Sequence, residues 1–217
     1  MKQPMIWIVG AGCGIGLGIA KTFGKRGYTP VLITREESIL IEMKGILAGH
    51  NIHAEGTVAY AGDESSLTQA LQQLESTYGT PDVLVYNASS HTPGYPSTVA
   101  PADMIDDFKV NVIGALTAVQ CVLPGMKQRG EGSVLLTGGG QATHPTATLA
   151  SLGVGKAGLR SLALSLHDEL KTYGLYAGTL TISGFVQPNT AFNPDLIGDA
   201  FYQMHKKKTD AEVTLKP

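Results

Sequence analysis

The chain has 217 residues, 43% hydrophobic and 16% charged, with a formal net charge of −2, which excludes a disordered chain and a protein built mainly to bind nucleic acid. That length suffices for one α/β domain burying roughly 70% of its unfolded surface, so neither metal nor disulfide is needed to hold it. Two cysteines, Cys13 and Cys121, offer no disulfide framework or zinc-ligand spacing, while 27 glycines far exceed the ordinary share of about 7%.

Residues 5–9 read as a first strand, too short for a secretory signal core. A glycine-rich turn follows, and apolar spacing predicts a helix over 15–25. A second strand is expected over 30–34, then a helix through Ile39, Ile41, Met43, Ile46 and Leu47, then a third strand over 53–59. Asp63 is placed to cap a helix carrying Leu67, Leu71 and Leu74. A fourth strand over 82–86 leads into a loop with Pro93, Pro96 and Pro101. A long helix over 104–128, broken near Val110, is expected next. A fifth strand at 133–137, a helix over 149–173, a sixth strand at 176–182 and a short helix over 194–206 complete the pattern, with an edge strand at 212–215.

Strands such as Val31-Leu32-Ile33 and Val83-Leu84-Val85 are apolar on both faces, as strands lying between two helix layers must be. Repeated βα units with right-handed crossovers imply a Rossmann-type doubly wound parallel sheet, a three-layer α/β sandwich in one domain over 1–217. No stretch approaches about 18 uninterrupted apolar residues, so no membrane span is expected and a cytoplasmic setting is.

Gly10-Ala11-Gly12-Cys13-Gly14-Ile15-Gly16 lies between the first strand and the first helix. Glycines there let the backbone approach a pyrophosphate, whose charge meets the helix N-terminus; the plain alternative is a tight turn without a ligand. An acidic residue at the end of the second strand would bond an NAD ribose. Here Thr34-Arg35 stand in that place, and Arg35 can face a 2′-phosphate, which favours NADP(H) over NAD(H). Cys13 would sit beside phosphates and a helix N-terminus, a setting that lowers a thiol pKa, or would simply fill space. No metal site is expected.

Asn87-Ala88-Ser89 follows the fourth strand, Asn111-Val112-Ile113-Gly114 lies in the next helix, and Lys156 in the helix after the fifth strand. With the glycine loop, these resemble the short-chain dehydrogenase/reductase family over residues 5–190. Val9 takes the place of that family's Thr before the loop, and Ser89 that of the Gly in its Asn-Ala-Gly segment. The resemblance implies hydride transfer between a nicotinamide and a carbonyl or alcohol carbon, with Asn111 and Lys156 among the catalytic residues. It also implies a Tyr four residues before Lys156 and a Ser thirteen before that Tyr; those places hold Leu152 and Gly139. Tyr202 and Lys206 have the right spacing but fall after the sixth strand.

Substitutes for the lost hydroxyls are Thr137, two residues before Gly139, and His144, whose residue type titrates near neutral pH; His91 is a weaker candidate. Tyr60 falls where the family often carries an acidic residue against adenine, and either contacts adenine or belongs to the core. Gly184, Phe185 and Val186 fall near the nicotinamide amide. The segment before Pro194 is too short for the usual substrate-covering helices. The resemblance further implies a homodimer or homotetramer through the helices carrying Leu116, Val119 and Leu123 and Leu159, Leu162, Leu166 and Leu170; alternatively these pack on the sheet. The expected function is NADP-dependent oxidoreduction with an altered proton-transfer site on an unidentified small molecule; the alternative is a non-catalytic NADP(H)-binding subunit or sensor.

Overall fold

The structure, a computed structural model, describes residues 3–216. Seven strands form one sheet: β1 (Met5–Val9), β2 (Thr29–Thr34), β3 (Glu55–Val58), β4 (Val83–Tyr86), β5 (Ser133–Gly139), β6 (Tyr176–Ile182) and β7 (Glu212–Leu215). Their order is β3-β2-β1-β4-β5-β6-β7, and every pair is parallel. The chain therefore winds outward from β1 to β3, returns to β4 beside β1, and winds outward the other way. The reversal opens a crevice beyond the carboxyl ends of β1 and β4.

Seven helices cover the sheet: α1 (Ile15–Gly24), α2 (Glu37–Gly49), α3 (Glu64–Tyr78), α4 (Pro101–Phe108), α5 (Gly114–Arg129), α6 (Ala150–Lys171) and α7 (Pro194–Lys207). Strand alternation divides the core in two. Met5, Trp7 and Val9 of β1 point into a cluster with Leu71 of α3, Val119 of α5 and Leu159 of α6. Ile6 and Ile8 point the other way, toward Phe23 of α1, Met43 of α2 and Phe201 of α7. This is why the central strands need apolar residues at every position.

The helix expected over 104–128 instead spans Pro101–Arg129, and it is widened rather than broken. Lys109–Ile113 form a π-helical turn joining α4 to α5. Such a turn shifts the backbone hydrogen bonds by one residue, and the Val110 carbonyl accepts the Tyr86 hydroxyl from β4. By length and hydropathy Pro101–Arg129 could cross a membrane, but half of its most apolar window is buried inside the protein. Val119, Leu159, Leu166 and Leu170 are buried against the sheet, and Leu123 and Leu162 pack on the same cluster. The apolar spacing of α5 and α6 is thus largely core packing.

β3 is shorter at both ends than expected, and β5 runs on to Gly139. α7 packs against α1 at very close range: a Cβ on Gly198 would fall 2.5 Å from the Gly18 carbonyl oxygen. Lys21–Asp195 and Arg26–Asp199 ion pairs flank that contact. α7 thereby holds the helix whose N-terminus opens on the crevice.

Candidate functional site

At the end of β1, Gly10 turns the chain with φ +78°, a conformation L side chains rarely adopt. A Cβ there would also collide with the Ala88 backbone. The backbone amides of Gly10 and Ala11 both donate to the Ile33 carbonyl oxygen, at 2.9 and 3.0 Å, which pins the loop to β2. Gly12 and Gly14 differ in kind. A Cβ on either would meet nothing within 4 Å, and both border the crevice. α1 starts at Ile15 with no side-chain cap, so its first amides are left to a ligand or water. Glycines that leave a space side chains would narrow, at the positive end of a helix, suit a pyrophosphate.

Cys13 is exposed in this loop, but burial of its thiol and a hydrogen bond to Glu42 raise its pKa. The direction is opposite to the lowering considered from sequence, since burial first and then the Glu42 carboxylate disfavour the thiolate.

One side of the crevice is a cavity of about 390 Å³ bounded by Ile33 to Glu36, Ala59 to Ala61 and Asn87 to Ser90. Thr34 is buried, and its hydroxyl donates to the Glu36 carbonyl oxygen at 2.9 Å, shaping the turn into α2. Arg35 is exposed and, among the described residues, its side chain bonds only its neighbour Glu36, Nε to Oε1 at 3.0 Å. Tyr60 is 46% exposed on this wall and does not belong to the core.

The other side is a cavity of about 1020 Å³ sharing Gly12, Asn87 and Ser89 with the first, so the two form one groove. Asn87 bridges the strand ends: Nδ2 donates to the Gly10 carbonyl oxygen at 2.9 Å and Oδ1 accepts the Thr137 hydroxyl at 3.0 Å. Lys156 reaches in from α6, and its Nζ donates to the Thr137 carbonyl oxygen at 2.8 Å. Burial lowers the Lys156 pKa to about 8. Thr137 therefore serves both neighbours, and its hydroxyl proton is committed to Asn87.

Gly139 and Leu152 both line this cavity with Lys156. A Cβ on Gly139 would lie 3.7 Å from Lys156 Cδ and Cε, ordinary contact, so a small side chain fits there. His144 and His91 lie on the rim, both exposed, and His144 Nδ1 is 3.0 Å from the Thr143 hydroxyl. Gly184, Phe185 and Val186 form the far wall, with Phe185 87% exposed. No helix covers residues 183–193.

Asn111 is fully buried in the π-helical turn. Its Oδ1 accepts from the Ser89 hydroxyl and the Ser90 amide, both at 3.1 Å, and its Nδ2 donates to the Ser90 carbonyl oxygen at 2.7 Å. Gly155, next to Lys156, leaves room for it: a Cβ there would lie 2.5 Å from Asn111 Nδ2. Asn111 thus fastens the loop following β4 to the π-helical turn, and that turn packs against Gly155 of the helix that carries Lys156.

Sequence reasoning missed a second fastening behind it. Buried Asp107 accepts from the Ser90 hydroxyl at 2.7 Å and the Thr92 amide at 2.6 Å, and buried Ser151 bonds the Thr92 backbone. Although burial opposes the charge, hydrogen bonds from Ser151, Ser90 and Thr92 together hold the Asp107 pKa below the usual carboxylate value. An Asp beside Asp106 near the end of α4 gives no hint of this; its partners Ser90, Thr92 and Ser151 lie 15 to 44 residues away.

Residues 4–193 match the family model for short chain dehydrogenases, and the chain belongs to that family of oxidoreductases. It is 32% identical over 173 residues to a very-long-chain 3-oxoacyl-CoA reductase of Aspergillus clavatus, covering 77% of this chain and 50% of that protein. It is 28% identical over 178 residues to dehydrogenase/reductase SDR family member 4 of Sus scrofa, covering 81% and 63%. The chain therefore spans between half and two thirds of these relatives' length. Among solved structures, a metagenomic short-chain oxidoreductase in complex with NADP superposes with a TM-score of 0.90 at 22% identity, covering 99% of this chain and 97% of that one. A variant of the actinorhodin polyketide ketoreductase with NADPH also gives 0.90, at 20% identity, covering 98% and 95%. These likenesses establish the doubly wound fold.

Proposed function

We propose that the chain is an NADP(H)-dependent oxidoreductase acting on a carbonyl or alcohol substrate, with an altered proton-transfer site. The observation that carries this reading is the single groove running from a glycine-lined helix N-terminus to a buried lysine. The amides at Gly12 to Gly16 would take the pyrophosphate, Thr34, Arg35 and Tyr60 the adenosine end, and Asn87, Lys156 and Gly184 to Val186 the nicotinamide end. Among the described residues Arg35 has no carboxylate partner beyond Glu36, bonded through Nε alone, which leaves the rest of its guanidinium available to a 2′-phosphate. When bound, a reduced nicotinamide supplies hydride to a carbonyl carbon, and the carbonyl oxygen then needs a proton.

The protein's own contributions are positional and electrostatic. Asn87 fixes the ends of β1, β4 and β5 relative to one another, Asn111 ties the loop after β4 to the π-helical turn beside α6, and Lys156 presents positive charge where negative charge would develop. Soluble, cytoplasmic operation as a homodimer or homotetramer is part of the same proposal; Ile105 of α4 and Val154 of α6 are exposed apolar residues suited to association. The test is NADPH oxidation with a panel of aldehydes and ketones, together with NADPH and NADH titration. Turnover lost in Lys156→Ala supports the reading, and absence of turnover across the panel counts against it.

A non-catalytic NADP(H)-binding role is the second reading. It is favoured by the inner wall itself, where Gly139 and Leu152 carry no hydroxyl and Thr137 has committed its own. Stoichiometric NADPH binding without turnover would select it.

A further inference from the structure

The inner groove contains a proton donor that needs no substitute residue. Three titratable side chains line it, His91, His144 and Lys156, and only Lys156 is buried. An ammonium has three N–H donors, and among the described residues Lys156 Nζ has one hydrogen-bond partner, the Thr137 carbonyl oxygen. Two donors are left over on a side chain that lines the groove. Gly139 has no side chain where its Cβ would lie against the lysine stem, and Leu152, one turn earlier on α6, places no polar atom beside the amine. At positions 139 and 152, therefore, no hydroxyl stands between a substrate oxygen and Nζ.

We infer that Lys156 is itself the general acid, donating a proton from Nζ directly to the substrate oxygen. This rests on the oxidoreductase reading above. In the reductive direction the carbonyl carbon gains hydride from NADPH and the C=O π pair moves to oxygen. The N–H bond of Lys156 breaks as the O–H bond forms, leaving a neutral amine that solvent reprotonates. Oxidation of an alcohol runs the same transfer backward, with the neutral amine as base.

The surroundings permit both forms near neutral pH. Among the described residues the groove lining holds no carboxylate and no arginine; β5 and the segment after β6 contribute backbone, hydroxyl and apolar groups; the two histidines are on the rim. Asp107 of α4 is engaged with Ser90, Thr92 and Ser151 behind Asn111. Burial alone acts on the amine and brings its pKa to about 8. At pH 7 the donor form predominates, and its driving force for transfer exceeds that of an ordinary lysine.

Two measurements on the full chain test this. The first is a ¹³Cε-lysine NMR titration, in which the Lys156 resonance is the one missing from Lys156→Arg. It should titrate near pH 8, apart from the other lysines, and shift on addition of NADP⁺. The second compares wild type and Lys156→Arg in NADPH binding and carbonyl reduction. Arginine keeps the charge but holds its proton at all working pH values. NADPH should still bind to Lys156→Arg while kcat falls about 10²–10⁴-fold, and wild-type kcat should drop tenfold per unit above about pH 8. Should Lys156→Arg fail to fold, Lys156→Met replaces it for NMR assignment, and the wild-type pH profile still decides. Turnover without a limb near pH 8, or retained in Lys156→Arg, overturns the assignment and leaves the oxidoreductase reading standing. A Lys156 resonance that titrates with the other lysines also overturns it. NADPH binding with no turnover on any carbonyl overturns both.

Discussion

The Thr137 hydroxyl donates to Asn87 Oδ1 at 3.0 Å, while the same residue's carbonyl oxygen holds the Lys156 ammonium. One threonine at the end of β5 thus sets the position of two side chains that face the groove from β4 and α6. Its value lies in arrangement, and a proton it has already given to Asn87 is not available to a substrate. In Thr137→Val the Asn87 oxygen loses its donor while the backbone contact to Lys156 survives. Denaturant unfolding should show a loss of about 1–2 kcal/mol, with NADPH affinity lowered and Lys156 titrating as before. A complete loss of turnover with unaltered cofactor affinity would instead mark the hydroxyl as a reacting group.

The glycines of the first loop should separate into two kinds. Gly10→Ala meets both a positive φ and the Ala88 backbone, and should yield little folded protein. Gly14→Val places its side chain in open space beside the helix N-terminus and should fold with wild-type circular dichroism. Its NADPH affinity should nevertheless fall at least about tenfold, since the lost approach to phosphate amides is worth more than about 1.4 kcal/mol. Equal cofactor binding by Gly14→Val and wild type would mean that no ligand uses this space.

Arg35 is exposed and held by adjacent Glu36. Arg35→Ala should therefore leave melting temperature unchanged and NADH affinity unchanged, while weakening NADPH about 10–100-fold through loss of a charge-assisted contact. Parallel calorimetric titrations of the two cofactors check this. Equal losses for both would assign the arginine to a general electrostatic role.

His205 offers a pH test remote from the site. It is buried on α7 between the Tyr28 hydroxyl and the Ser133 hydroxyl, each 2.8 Å from a ring nitrogen. Burial first, then Lys208 and Lys206, lowers its pKa from 6.5 to about 4. A folded-state value below the unfolded one means that the unfolded chain takes up the proton first. Stability is then full above about pH 6.5 and declines as pH falls toward 4, by up to about 1.4 kcal/mol per unit. His205→Gln should flatten that decline in denaturant midpoints between pH 7 and 4, whereas an unchanged slope would assign acid sensitivity to carboxylates such as Asp107.

Restoring hydroxyls should be tolerated sterically. Gly139→Ser adds atoms where the nearest neighbours of a Cβ are 3.7 Å away, and Leu152→Tyr points into the large cavity. The double variant should fold, bind NADPH as wild type does, and reduce carbonyls at least about tenfold faster, because a phenol held beside Lys156 is a second route for the proton. Unchanged kcat in a well-folded double variant would show that proton supply does not limit turnover.

Much of this was legible from residue pattern. Strands apolar on both faces, such as Val31-Leu32-Ile33, announced two helix layers, and the family resemblance carried by the glycine loop, Asn87, Asn111 and Lys156 grouped them into one site. The π-helical turn at Lys109–Ile113 was visible only as an irregularity near Val110, since one inserted residue barely disturbs the apolar stripe of a long helix. The commitments of polar atoms were not legible at all. That Thr137 serves Asn87, that Glu42 faces Cys13, and that Asp107 gathers Ser90, Thr92 and Ser151 all depend on contacts between distant segments. The close seating of α7 on α1 had a sequence trace in Gly18 and Gly198, but only packing reveals that the two glycines face each other.

The most direct test of the central claim, that the groove is an NADP(H) site, is calorimetric titration of cofactor-free protein with NADPH and with NADH. One NADPH per chain, bound more tightly than NADH by a margin that disappears in Arg35→Ala, is the expected result. Failure of either nucleotide to bind at millimolar concentration would contradict it.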